Sequence, residues 1–322
     1  MGWQRLTIVS DALRGNFLGD AHERPLFVWS PAEGTGGSRR YPAVFVLHAH
    51  MRSAASWFNV TPFERSYPDE IERLAPRAVV VLVDGWTSVG GSQWVDSDGI
   101  GRYATYLCDE VVPFVDERFP TLPEAQHRAL QGKSSGGYGA VVNALRRPEL
   151  FGAFACHAGD ALFDVTLARG FAAAARALRD RWGGSFEQFW SAFRSLESDA
   201  HATLVELYAA ALAWGDGTLP FDVETGALVP GPWRQWLAHD PVRIASDPAL
   251  RSVVEDLRGA WIDAGNRDEY YLDLGAAALR RALLEAGTPD ERVRFELFDG
   301  GHGGTGARYP LSLAWLVERL AP

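Results

Sequence analysis

Residues 128 to 140 read Arg-Ala-Leu-Gln-Gly-Lys-Ser-Ser-Gly-Gly-Tyr-Gly-Ala: a short apolar run stops at Gly132 and a helical pattern starts after Gly136. The stretch therefore predicts a strand, a sharp turn and a helix. Within it, Gly132-Lys133-Ser134-Ser135-Gly136 fits G-x-S-x-G, in which a serine stands on a strained turn above a sheet and the flanking glycines relieve crowding. Ser134 is the candidate nucleophile. Centring the turn on Ser135 would put Lys133 two residues before the serine, where the backbone leaves little room for a side chain. The Gly-Lys-Ser it contains is not a P-loop, because that motif needs a glycine five residues before Gly132, where His127 stands. Lys133 is the only lysine in the chain, but adjacent side chains in a turn diverge, which argues against a Ser-Lys dyad.

Around this turn the apolar pattern supplies further strands. Residues 4 to 9 and 24 to 30 read as an antiparallel pair, and Pro31 to Pro42 reads as a loop. Residues 43 to 47 and 79 to 83 have no polar face, as expected of strands covered on both sides in a parallel sheet. Residues 151 to 156, 259 to 264 and 293 to 298 continue the series. Helices are expected at 102 to 118, 269 to 286 and 308 to 320. Strands alternating with helices imply an α/β fold, a mostly parallel central sheet with helices on both faces. From 160 to 245 the pattern turns helical and aromatic. We therefore expect a core formed by 1–159 and 246–322 and an inserted helical cap at 160–245.

Ser134, Asp268 and His302 each follow an expected strand, and in such sheets functional groups collect at the carboxyl ends of the strands. The chemistry needs all three types. A serine hydroxyl is a poor nucleophile until an imidazole takes its proton, and a carboxylate must fix the imidazole's tautomer and stabilise its charged form. Asp263, inside its strand, points into the sheet packing; Asp268 could also serve as a helix cap. An oxyanion hole needs two backbone N–H groups, expected from Ser135 and, in the turn after residue 47, from His50. Trp57, Trp94 and His157 are the candidate substrate-binding residues.

The formal charge of −10 and the lack of basic runs exclude nucleic acid and anionic membranes as expected partners. Cys108 and Cys156 lack metal or disulfide spacing, and no cofactor or metal is expected. The N-terminus lacks the apolar core of a signal peptide, so the expected location is the cytoplasm. Homo-oligomerisation stays open.

With these residues in place, the chain resembles the Putative esterase family of α/β-hydrolases, which includes esterase D, antigen 85-like and enterochelin esterase-like proteins. The likeness rests on Leu13-Arg14-Gly15-Asn16-Phe17-Leu18-Gly19-Asp20, Arg24, Leu47-His48-Ala49, Gly132 to Gly137 and Gly301-His302. It implies a carboxylic ester hydrolase that uses Ser134, Asp268 and His302 without a cofactor. We expect an acyl-enzyme on Ser134, with the aromatic cap and the loop at 85 to 101 enclosing the apolar acyl or aryl group of a small ester. Acyl transfer, peptidase activity and an inactive binding protein are the alternatives. Two departures stand out: His48-Ala49 replaces the usual His-Gly, and the 160–245 segment is longer than the family's connection.

Overall fold

The computed structural model describes residues 2–31, 39–195 and 199–322; most of the loop expected at 31 to 42 lies outside them. The strands are β1 (Gly2–Val9), β2 (Glu23–Ser30), β3 (Ala43–Leu47), β4 (Val79–Val83), β5 (Asp96–Ser97), β6 (Gly101–Arg102), β7 (Arg128–Lys133), β8 (Ala153–His157), β9 (Gly259–Gly265) and β10 (Val293–Phe298). Eight of them form one sheet in the order β1-β2-β4-β3-β7-β8-β9-β10, and β5 and β6 form a separate ribbon. β1 and β2 are antiparallel, and β2 joins β4 antiparallel. The six remaining strands run parallel.

The central strands are apolar because both their faces are covered. Alternate residues separate onto the two faces, as the period of two requires. Phe45, Leu47, Val81, Leu130 and Phe154 pack on one side with Tyr138, Val141 and Leu145 of helix Ser135–Arg146. Val44, Val46, Val80, Leu82 and Ala155 pack on the other with Ile71 and with Leu313, Leu316 and Leu320 of helix Arg308–Leu320.

Two expectations change in detail. Residues 103–118 are helical, but Tyr106–Val111 is a π-helical stretch. Pro113 has no N–H to return to Asp109, which favours a wider turn there. Between β8 and β9 the chain is helical, as expected, yet its aromatic residues join the core of the main sheet. Trp214 lies 5.3 Å from Tyr138 of the helix after β7, 4.6 Å from Phe163 and 5.6 Å from Trp236, measured between ring centroids. Trp214 and Trp236 are buried, so these rings hold the segment to the sheet.

Because β7, β8, β9 and β10 are parallel neighbours, their carboxyl ends meet at one rim. Lys133 pairs with His157, His157 with Asp263, and Gly265 with Phe298. The loops bearing Ser134, Asp268 and His302 leave from that rim.

Candidate active site

Ser134 sits between β7 and its helix with φ 53° and ψ −125°, a region that costs a non-glycine residue on the order of 1–3 kcal/mol. Its N–H donates to His157 O at 3.0 Å, and its carbonyl accepts the N–H of Tyr138 at 2.8 Å, which starts the helix. The glycines of the motif are steric requirements. A Cβ on Gly132 would lie 2.3 Å from the Gly136 carbonyl, and one on Gly136 would lie 2.2 Å from Leu47 O. Ser135 is 2% exposed, whereas Ser134 is only half-buried.

Asp268 is buried and uses its two oxygens differently. Oδ2 lies 2.9 Å from Nδ1 of His302. Oδ1 accepts the N–H groups of Tyr270 at 2.9 Å and Leu272 at 3.4 Å, at the start of helix Leu272–Ala286. The alternatives of triad acid and helix cap are thus compatible. Burial alone would raise the Asp268 pKa, but the contact with His302 and the two N–H donors outweigh it and hold the carboxylate below its ordinary range. The backbone N–H of His302 donates to Glu269 Oε2 at 2.7 Å, and Tyr270 packs edge-on against its ring at 4.9 Å. The structure thus pairs Asp268 with His302. The Ser134 hydroxyl and the imidazole occupy the same rim without sharing a hydrogen bond.

The turn after β3 crosses the same end of the sheet. His48 is buried; its Nε2 accepts the N–H of Gly85 at 2.9 Å, which leaves the proton on Nδ1 to donate to Ala49 O, also at 2.9 Å. The His50 ring lies against Gly90 and Gly91, and both its nitrogens lack partners. Burial, aided by His48, lowers its pKa to about 4, so the ring is neutral. Among the described residues, the backbone N–H groups of Ala49 and His50 donate to no other protein group. The N–H of Ser135, in the first helical turn, has no intrahelical acceptor either.

Two of the expected substrate-binding residues are placed elsewhere. Trp94 is 1% exposed, wedged where a Cβ on Gly85 or Gly139 would touch it, and donates its indole N–H to His48 O at 3.3 Å. It is a core wedge beneath the turn. His157 is fully buried: Nδ1 lies 2.6 Å from Asp263 Oδ1 and Nε2 lies 2.8 Å from Ser312 Oγ. It therefore belongs to a second Ser-His-Asp set, closed to solvent and tied to Trp261 and Arg308 through Asp263 Oδ2. Its side chain leaves β8 toward helix Arg308–Leu320, away from the rim.

Trp57 does border a cavity, of about 200 Å³. Its ring stands 4.8 Å from that of Tyr309. The same cavity is bounded by His48 and Ala49, by Thr305 and Gly306 of the loop after His302, and by Lys133, Arg52, Ser53 and Ser56. It therefore connects all three functional turns. Lys133, dismissed as a dyad member, is a wall of this cavity, which the sequence did not suggest.

A smaller cavity of about 70 Å³ lies behind Tyr270, with Asp160, Glu206 and Arg169 in its lining. Burial raises the Asp160 carboxyl well above its ordinary value and Glu206 to about 7. Position after β8 was the one available sequence signal for Asp160. Among the described residues, no group of three or more His, Cys, Asp or Glu side chains is arranged to hold a metal ion.

Residues 22–309 match the family described as Putative esterase. The endo-1,4-beta-xylanase/feruloyl esterase of Xylanibacter ruminicola is 27% identical over 122 residues, which is 36% of this chain and 16% of that protein; the chain thus spans a small part of this relative. Among solved structures, a ferulic acid esterase is similar with a TM-score of 0.64 at 17% identity, over 99% of this chain and 98% of the other. The fluorophosphonate-binding serine hydrolase F of Staphylococcus aureus gives 0.61 at 16%, over 98% of each. MPT51 of Mycobacterium tuberculosis gives 0.61 at 16%, over 99% of each. These likenesses place the fold with the α/β-hydrolase esterases.

Proposed function

The chain belongs to the Putative esterase family, and from that membership we propose that it is a serine esterase that forms an acyl-enzyme on Ser134. The observation that carries this reading is the 2.9 Å contact between Asp268 Oδ2 and His302 Nδ1, at the rim where Ser134 is held in its strained turn. With Nδ1 engaged by Asp268, the free Nε2 of His302 takes the proton of the Ser134 hydroxyl as it attacks the ester carbonyl. Ser134 and His302 close to hydrogen-bond range when substrate is bound, as catalytic contacts often tighten in the complex. The N–H groups of Ser135 and His50 receive the oxyanion. The same imidazole returns its proton to the departing alcohol oxygen, then activates water to release the acid.

In this reading, Trp57 and Tyr309 offer aromatic faces to an aryl or apolar group. Residues 160–245 are an insertion into a core of 1–159 and 246–322. Among the described residues no helix is long and apolar enough to cross a membrane. The test is covalent labelling with a fluorophosphonate, which should mark the wild type at Ser134 and fail on Ser134→Ala. Labelling that persists in the variant rejects the assignment.

A further inference from the structure

The chain carries a formal charge of −10, yet the cavity beside the Ser134 turn contains two cationic side chains, Lys133 and Arg52, and no carboxylate. We infer that this cavity binds a negatively charged group, a carboxylate or a phosphate, so that the preferred ester carries an anion in addition to the scissile bond. The inference rests on the esterase reading for the ester itself; the anion site stands on the following geometry.

Lys133 is half-buried and Arg52 exposed, and among the described residues neither side chain has a hydrogen bond or ion pair. The nearby carboxylates are engaged: Asp268 by His302, Tyr270 and Leu272, and Glu269 by the backbone N–H of His302. Burial, the largest effect, and the nearby Arg52 depress the Lys133 pKa, against the opposing pull of Asp268 and Glu269. A half-buried cation with a second, exposed cation near it is costly unless opposite charge is at hand; Asp268 and Glu269 supply part of that charge. A bound anion supplies the rest. The hydroxyls of Ser53 and Ser56, 3.2 Å apart, border the same space and offer neutral donors to the same oxygens. Trp57 and Tyr309 give the rest of that group an aromatic wall.

The experiment uses the full chain with Ser134→Ala, so that binding is read without turnover. Titration of tryptophan fluorescence with 4-phenylbutyrate and with its neutral amide should show the carboxylate binding roughly tenfold more tightly, the scale of a hydrogen bond to a charged group. Phenyl phosphate, tested against phenol, distinguishes a phosphate from a carboxylate site. Adding Lys133→Met or Arg52→Met should each shrink the preference; thermal melts confirm that the variants fold. Equal binding of acid and amide, or a preference that survives Lys133→Met with Arg52→Met, overturns the inference. In parallel, the protein with Ser134 intact is assayed on mono-4-nitrophenyl adipate and its methyl-capped diester. Cleavage of both at equal kcat/KM, with equal binding of acid and amide, rejects the anion site and keeps the esterase. Carboxylate-selective binding with neither ester cleaved nor Ser134 labelled rejects the esterase and keeps the anion site.

Discussion

Oδ2 of Asp268 holds Nδ1 of His302 at 2.9 Å while Oδ1 closes the turn into the next helix. The carboxylate is thus anchored by main-chain N–H groups before it orients the imidazole. It need not give up its place in the fold to act on the ring.

Asp268→Asn tests that division. An amide keeps an oxygen for Tyr270 and Leu272, so the protein should fold with a small loss of stability. Its effect on the imidazole tautomer should lower kcat on the order of 10⁴-fold, the cost of the equivalent change in a serine protease triad. Activity within tenfold of wild type would transfer the acid role to another carboxylate, Glu269 first. The depressed Asp268 pKa also sets a sign: this carboxylate's contribution to stability is complete above the unfolded-state value and is lost as pH falls through the folded-state value. Stability of the Asn variant should therefore approach that of wild type as the medium is acidified.

Gly136→Ala should fail sterically. The added methyl would stand 2.2 Å from Leu47 O and 2.7 Å from His48 O, both backbone atoms in the turn that crosses the Ser134 helix. Overpacking of this kind costs about 1–3 kcal/mol, and relief requires moving that turn. A lowered Tm together with lost fluorophosphonate labelling is expected. A variant with unchanged Tm and full labelling would mean that the two turns are not packed as described.

The same contacts explain what could be read from the chain beforehand. The strands at 43 to 47 and 79 to 83 were legible because their composition reflects burial of every residue, a local property. The glycines at 132 and 136 were legible because close backbone approach admits no other residue. Trp94 and His157 were misplaced for one reason: where a side chain points at a strand end or in a long loop depends on residues distant in sequence. Trp94 fills a gap left by Gly85 and Gly139, and His157 turns toward Ser312, 155 positions away. The two cations around one cavity were hidden likewise, since Arg52 and Lys133 belong to different turns.

The sealed Ser312, His157 and Asp263 set should be structural. Asp263→Asn leaves Arg308 facing a neutral amide inside the fold, although Glu296 at 2.6 Å still pairs with its other end. Breaking a buried charge pair costs up to about 3–5 kcal/mol, and the remaining partner should reduce that. Unfolding in urea should shift to lower concentration while fluorophosphonate continues to mark Ser134 in the folded fraction. Labelling at Ser312 in the native protein would show that this second set is open to reagent.

Glu206 supplies a pH signature independent of catalysis. Burial raises its pKa from 4.5 to about 7, the attraction of Arg169 opposing part of the rise. The native state therefore holds this proton more tightly than the unfolded chain does. Between the two values the folded protein binds more protons, so stability falls as pH rises. Glu206→Gln, which resembles the protonated acid at every pH, should match wild type below about pH 4.5 and be more stable above pH 7. One pKa unit corresponds to about 1.4 kcal/mol, so a rise from 4.5 to about 7 puts the gap at pH 8 on the order of 3 kcal/mol. Paired thermal melts at pH 4.5, 6 and 8 measure it; titrating groups remote from Glu206 cancel in the difference, whereas Asp160, which Glu206 helps to raise, adds to it. A gap that stays constant across the three values would mean that Glu206 is ionised alike in both states and that the small cavity behind Tyr270 is wet.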